Sequence, residues 1–298
     1  MILNLANNDY ANYSHDNAKA LKAVGLECLD FVKHPHIFGY ESQSIEMGKD
    51  EMITQIKKAE VIQIMHSNLQ LFQLAVKFNP GAKIIIYHTG TIYRTNYKRL
   101  NNAFKGYKTI TDQTEFMELG DHEYIVSPVD YKLSKLYNKG LKKIGHYPSS
   151  VQVKGTVKIL ELLENIKQDF DLLHSVENVL HADQIKRIGE SDIYVELFKP
   201  KLNGNNYGCF GVTALEACSM GKIVITQNLY ENIYEDNYGY CPMTIANNEE
   251  QFINNIEGLL RMSRTQFRTL QKDTHEIMKE NHSYKSTGLK IAKQIYES

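Results

Sequence analysis

The stretch "YGCFGVTALEACSMGKIVIT", Tyr207 to Thr226, places a single carboxylate, Glu216, between a glycine-bearing turn and a β-branched run. Gly208, Cys209, Phe210 and Gly211 form a turn whose small residues let a backbone approach a ligand closely. The segment from Val212 reads as a helix, and "GKIVIT" reads as a buried strand. Turn, helix and strand in that order are the repeating unit of an α/β fold. The free N–H groups at the start of such a helix suit an anion. A carboxylate one turn further on repels that anion, so Glu216 needs a partner of another kind. The vicinal hydroxyls of a ribose fit, because both donate to an ionised carboxylate. The plain alternative is a first-turn acid interacting with the helix dipole. The local pattern "ALEA" leaves both open.

Working outward, the same alternation runs through the whole chain, which predicts an α/β protein with mostly parallel sheets. "MILNLAN" is a first strand, and a helix is expected over residues 14–24. "AEVIQIMH" and "GAKIIIYH" are compact apolar runs ending in His66 and His88. Ligands of open α/β sheets sit at the carboxyl ends of the strands, so both histidines fall where sites form. "YKTITD" and "EYIVSP" close the first half. The pattern restarts near residue 141 with "LKKIGHYPSS", followed by "FDLLHSV", "SDIYVELF" and "GKIVITQ". Two Rossmann-like domains are therefore expected, 1–140 and 141–298, with parallel sheets facing a central cleft and the last helix crossing back to the first domain.

Composition narrows the class. The chain has 298 residues, 34 basic and 35 acidic, for a formal charge of −1. That balance argues against a surface devoted to nucleic acid, while leaving room for a local patch. No apolar run approaches the roughly 18–20 residues of a membrane span. The N-terminal "ILNLANND" reads as a strand interrupted by polar residues rather than a secretory leader. The four cysteines show neither a CxxC pair nor metal-ligand spacing, which fits a reduced, cytoplasmic setting. His34 and His36 form an "HPH" without an evident third ligand, so no metal site is expected.

Further candidates surround the opening stretch. In "HYPSSVQVKGT", a strand runs into Ser149 and Ser150, and Lys154-Gly155 opens a helix. A lysine at a helix N-terminus adds a point charge to an anion site; equally, the serines cap the helix and Lys154 is solvated. Glu196 stands near the end of the strand in "SDIYVELF". His146 falls beneath this region or in the core, and Cys218 reads as a small buried residue. In the first half, the turn "NNDYANYSH" offers Asn8, Asp9 and His15, with Ser14 as the expected helix cap. "PHIFGYESQS" is either a ligand loop or a packed connection. "YRTNYKRLNNAFKGYK", Tyr93 to Lys108, carries Arg94, Lys98, Arg99, Lys105 and Lys108 among four aromatic residues and no acid. Such interleaving suits a polyanion; the alternative is an amphipathic segment with its aromatics packed inward.

Taken together, these stretches resemble the GT-B glycosyltransferases of the large retaining family that includes sucrose and mannosyl transferases. Lys154-Gly155 is similar to that family's diphosphate-binding turn. Glu216 in "FGVTALEACSMGK" matches the second acid of its acid–seven residues–acid motif, placed on the donor ribose. "IIIYHTGT" resembles the strand whose terminal histidine faces the transferred sugar, which implies that role for His88. "YIVSPVD" and the C-terminal "NHSYKSTGLKIAKQIYE" also match in order and spacing. The first motif acid is replaced by Gly208, and the arginine expected upstream of the lysine is absent, so Ser149, Ser150 and backbone amides would take its place.

The resemblance implies transfer of a sugar from a nucleotide-diphosphate donor, with retention, without a metal and without a further cofactor. His88, Lys154 and Glu216 carry the catalytic roles it implies. Ser149, Ser150, Gly155, Glu196, Gly208, Cys209, Phe210 and Gly211 line the donor, while Asn8, His15 and Arg94 stand on the acceptor side. The acceptor is open between an anionic glycan and DNA, the latter through residues 93–108. A sugar-nucleotide 2-epimerase and a non-catalytic nucleotide-sugar-binding module are the competing readings.

Overall fold

The computed structural model describes residues 1–202 and 204–297. The chain divides into two compact units, Met1–Pro128 with His282–Ser298, and Val129–Asn281. The division falls earlier than the sequence restart near residue 141, because the intervening segment is bonded into the second unit. Ser134 N donates to Met220 O at 3.1 Å, and Lys222 Nζ donates to Lys135 O at 3.0 Å.

The first unit holds seven strands: β1 (Ile2–Asn8), β2 (Cys28–His34), β3 (Ile45–Glu46), β4 (Val61–Ile64), β5 (Lys83–His88), β6 (Lys108–Thr111) and β7 (Glu123–Tyr124). All pair in parallel, in the order β3-β2-β1-β4-β5-β6-β7. Parallel sheets bury both faces, and the side-chain alternation shows it. Along β5, Ile84 and Ile86 join one core cluster while Ile85 and Tyr87 join the other. The second face is closed by helices Tyr13–Ala23 and Tyr284–Tyr296, the latter contributing Ile291 and Ile295. Gly288 allows their close approach, since a Cβ there would lie 2.1 Å from Ala20 O. Strand order reverses between β1 and β4, which makes their carboxyl ends a topological switch point.

The second unit contains β8 (Lys143–His146), β9 (Asp171–His174), β10 (Ile193–Val195), a two-stranded antiparallel pair β11 (Lys201–Leu202) and β12 (Asn205–Asn206), β13 (Ile223–Thr226) and β14 (Thr244–Ile245). Its main sheet is parallel in the order β14-β13-β10-β8-β9. Towards the end of this unit, helix Glu249–Arg261 stops, and Arg264–His282 begins a new one. Lys142 is buried at the end of the first of these, donating to the carbonyls of Leu260 (2.9 Å) and Met262 (3.0 Å). A cation among terminal carbonyls opposes the helix dipole favourably.

Three buried histidines impose a pH dependence. Burial pushes the His88 ring down to about 3, and holds His146 and His282 at about 4. Each folded value lies below the ordinary 6.5, so the unfolded chain binds more protons between those limits. Stability is fully present above pH 6.5 and falls as pH drops toward 4, by up to about 1.4 kcal/mol per pH unit for each ring. Burial raises the Asp112 carboxyl to about 6, which opposes only part of this. The thermal midpoint should drop steadily between pH 6.5 and 5; a midpoint constant over that range would contradict the neutral burial of these rings.

Candidate functional site

In the second unit, the chain leaves β8 through Tyr147 and Pro148 to the exposed Ser149 and to Ser150. Ser150 caps the one-turn helix Val151–Lys154, accepting from Val153 N at 3.3 Å. Gly155 follows with φ 72°, and helix Thr156–Glu164 starts from it. Glycine is required there twice over. The backbone is left-handed, and a Cβ would meet Phe198 O at 2.1 Å. The turn delivers the Lys154 ammonium to the carboxylate of Glu196, with which it forms an ion pair. Glu196 follows directly on β10, is 2% exposed, and also accepts from Thr226 Oγ1 at 3.1 Å.

The glycine-bearing turn closes on this pair. A Cβ on Gly211 would lie 3.0 Å from Glu196 Oε1 and 3.5 Å from Lys154 Nζ. The expected donor residues Lys154, Gly155, Glu196 and Gly211 are thus gathered at the carboxyl edge of one parallel sheet. Gly208 is tied to the loop after β13, its carbonyl accepting from Leu229 N at 3.1 Å. Cys209 is half-buried. The Phe210 ring is buried edge-on against Tyr234, with centroids 5.7 Å apart, so only its backbone faces the turn's ligand side.

Glu216 lies in helix Val212–Ser219 and binds His181 Nε2 through Oε1 at 2.6 Å. Both side chains remain partly exposed, at 16% and 22%. His181, the first residue of helix His181–Glu190, escapes a reading of the sequence because it sits alone in a polar stretch. Burial first, then the charges of Glu196 and Glu216, push the Tyr194 phenol well up. His146 is a core residue: its Nδ1 donates to Val195 O at 2.8 Å and its Nε2 meets Thr156 Oγ1 at 2.9 Å. Cys218 is fully buried, and burial raises its thiol, which suits packing rather than nucleophilic chemistry.

In the first unit, polar groups collect at the switch point. Asp9, 2% exposed, accepts from Ser14 N (2.7 Å), His15 N (3.1 Å) and Ser44 Oγ (3.1 Å). Asp9, rather than Ser14, therefore satisfies the first turn of helix Tyr13–Ala23. Asn8 stands at the end of β1, its amide 3.4 Å from Tyr10 Oη. His15 bridges two elements, Nδ1 to Asp30 Oδ2 at 2.7 Å and Nε2 to Ser42 Oγ at 2.6 Å. Burial would raise Asp30, but its hydrogen bond with His15 and the nearby charges of His15 and Lys22 outweigh this and hold the carboxyl low. His66 follows β4, with Nδ1 on Thr89 Oγ1 at 2.5 Å and Nε2 3.7 Å from Asp9 Oδ1.

Three expectations change here. His88 has 0% exposure, its ring stacked 4.0 Å from Tyr93 and its Nδ1 held by Ser67 Oγ at 2.8 Å. Its side chain lies in an aromatic layer, with Nε2 buried and without a hydrogen-bond partner, while His66 stands just beyond β4. Arg94 is engaged in an ion pair with the buried Glu115 and lies 5.3 Å over the Phe116 ring, so its cation is already matched. Within residues 93–108, Tyr93 and Phe104 are buried, and Phe72 meets both Phe104 and Tyr107. Tyr107 stays 38% exposed, and Lys98, Arg99 and Lys105 face solvent. Among the described residues no cluster of three or more metal-ligating side chains is found, His34 and His36 included.

No family model and no curated protein matches the sequence. Solved structures do. Anabaena HepE in complex with UDP-glucose superposes with a TM-score of 0.70 at 11% identity, covering 100% of both chains. Sucrose-phosphate synthase of Thermosynechococcus elongatus gives 0.64 at 12%, covering 100% of this chain and 98% of that one. AviGT4, a glycosyltransferase involved in avilamycin A biosynthesis, gives 0.61 at 10%, covering 99% and 96%. At these identities the likeness speaks for the architecture: two parallel-sheet α/β units in one chain, the GT-B fold.

Proposed function

We propose that this protein is a glycosyltransferase that takes its sugar from a nucleotide-diphosphate donor held by the second unit. The observation that carries the reading is the convergence of Lys154, Glu196 and Gly211 beside the start of helix Val212–Ser219. An ammonium next to free helix N–H groups suits a diphosphate. On donor binding, the phosphate oxygens take up the Lys154 charge and the amide groups, and Glu196 keeps Thr226 as its hydrogen-bond partner. Glu216, oriented by His181, accepts from the ribose hydroxyls. As the glycosidic bond to phosphate lengthens, negative charge grows on the departing diphosphate. A fixed cation stabilises that charge with little reorganisation.

Support for UDP as the nucleotide comes from the HepE structures, which hold UDP and UDP-glucose. Transfer with retention, and without a metal or further cofactor, belongs to the same proposal. A thermal-shift titration with UDP tests it. At 100 times its dissociation constant a ligand should stabilise the native state by about 2.7 kcal/mol. The shift should be present in the wild type, strongly reduced in Glu216→Ala, and unchanged by EDTA. A wild type that fails to respond to UDP, GDP, ADP and CDP alike would remove the donor site. Release of free sugar from the responding nucleotide sugar then separates an enzyme from a binding module, which releases none.

A further inference from the structure

Backbone strain in the described chain is concentrated at one edge. The non-glycine residues with left-handed φ are Ala11 (55°), Asn12 (58°), His66 (57°) and Ser67 (55°). All four lie in the turns after β1 and β4, on either side of the switch point. Strain of this kind persists where surrounding structure enforces it, and it gathers at ligand sites. Here the first turn presents Tyr10 and the second presents His66, their rings edge-on with centroids 5.3 Å apart.

A third segment, Pro35–Ser44, is fastened over the same edge without regular structure. Ser42 O accepts from Asn12 Nδ2 at 3.0 Å, and Ser44 Oγ donates to Asp9. The segment carries His36, whose ring meets Phe38 at 4.6 Å, Tyr40 at 5.8 Å and Tyr10 at 6.4 Å. These rings are not consumed by a core: Tyr10 is 49% exposed, and the neighbouring Ile37 is 86% exposed.

Beneath the rings, several buried polar groups hold a hydroxyl. Asp30 Oδ2 holds His15 Nδ1 at 2.7 Å, and His15 Nε2 meets Ser42 Oγ at 2.6 Å. Asp9 holds Ser44 Oγ, and His66 Nδ1 meets Thr89 Oγ1. His66 Nε2 is buried without a hydrogen-bond partner, facing Asp9. An aromatic platform beside hydroxyl-binding groups matches a ligand with an apolar C–H face and a hydroxyl rim. A polyanion fits poorly beside the buried Asp9 carboxylate. An aliphatic chain leaves the polar floor unmatched.

We infer that the carboxyl edge of the first unit's sheet binds a neutral saccharide, its ring face on Tyr10 and one hydroxyl replacing Ser42 Oγ at His15 Nε2. Identifying that saccharide as the acceptor rests on the function proposed above; the binding site itself does not. The test uses the full chain, with calorimetry and saturation-transfer NMR against gluco-, manno-, galacto- and N-acetylglucosamine oligosaccharides. Single-stranded DNA and phosphatidylglycerol vesicles form the other arms. One neutral series should bind the wild type. Tyr10→Ala should weaken it by at least about tenfold, and Tyr10→Phe should keep it. Ser42→Ala should bind as tightly as the wild type or more tightly, because a competing internal hydroxyl is removed, whereas a merely structural Ser42 predicts weaker binding. Failure of every neutral saccharide to bind overturns the inference. So does undiminished binding by Tyr10→Ala, or binding of DNA or vesicles that is lost in Tyr10→Ala. The UDP shift is recorded in the same samples. Saccharide binding without it leaves this site standing and removes the donor reading; the reverse outcome does the opposite.

Discussion

Lys154→Ala should destabilise the protein by roughly 3 kcal/mol and abolish the UDP-dependent thermal shift together. The size follows from where the partner sits. An exposed pair is worth about 0–1 kcal/mol, but the Glu196 side chain is only 1% exposed while Lys154 is 17% exposed. Removing the ammonium leaves a carboxylate buried with Thr226 Oγ1 as its remaining hydrogen-bond donor at 3.1 Å. A neutral pair separates the two effects. Lys154→Met combined with Glu196→Gln should recover most of the stability, since no charge is left uncompensated, yet it should not recover nucleotide binding. Chemical denaturation and UDP titration of the three proteins measure both. Recovery of UDP binding in the double variant would show that the lysine serves the fold alone.

The second large effect is expected at Gly155. A left-handed φ costs an alanine roughly 1–2 kcal/mol, and forcing a methyl into an occupied position costs about 1–3 kcal/mol more. The obstacle is Phe198 O, 2.1 Å from the position of a Cβ, and Phe198 N is bonded to Lys154 O at 3.1 Å. That carbonyl belongs to backbone and cannot rotate away as a side chain does. Gly155→Ala should therefore lose about 2–5 kcal/mol. Gly155→Asn discriminates between the causes, because asparagine tolerates the left-handed region but still carries a Cβ. If asparagine restores stability, the dihedral was the cost; equal damage from both points to the clash. The urea midpoint of each variant decides.

Much of the architecture is readable from residues close in sequence. Compact runs such as "IIIYH" and "GKIVIT" declare buried parallel strands, and the Lys154-Gly155 turn and the helix bearing Glu216 follow from local chemistry. What lies across the chain is not readable in this way. Lys154 and Glu196 meet only because β8 and β10 are neighbours in the sheet, and His181 reaches Glu216 from a separate helix. His88 shows the same limit. It stands at a strand's carboxyl end, and the stacking of Tyr93, five residues later, on its ring is not visible in spacing. In residues 93–108, helix Gly90–Ala103 turns Tyr93 and Leu100 inward and leaves Lys98 and Arg99 exposed. Sequence spacing cannot distinguish a platform from a packed face unless it is known which side the sheet occupies.

The helix Tyr284–Tyr296 has a consequence for how the chain comes to be folded. Its Ile291 and Ile295 complete a core that begins at Ile2, and its backbone and side chains receive Lys83 and Lys108. The first unit is thus assembled from the two ends of the polypeptide, with 129–281 interposed. During synthesis the interposed unit emerges whole and can fold as it leaves the ribosome. The strands of Met1–Pro128 must wait for residues 282–298, holding an open apolar face until that helix is made. Domains interrupted in this way pay loop-closure entropy late and expose aggregation-prone surface meanwhile.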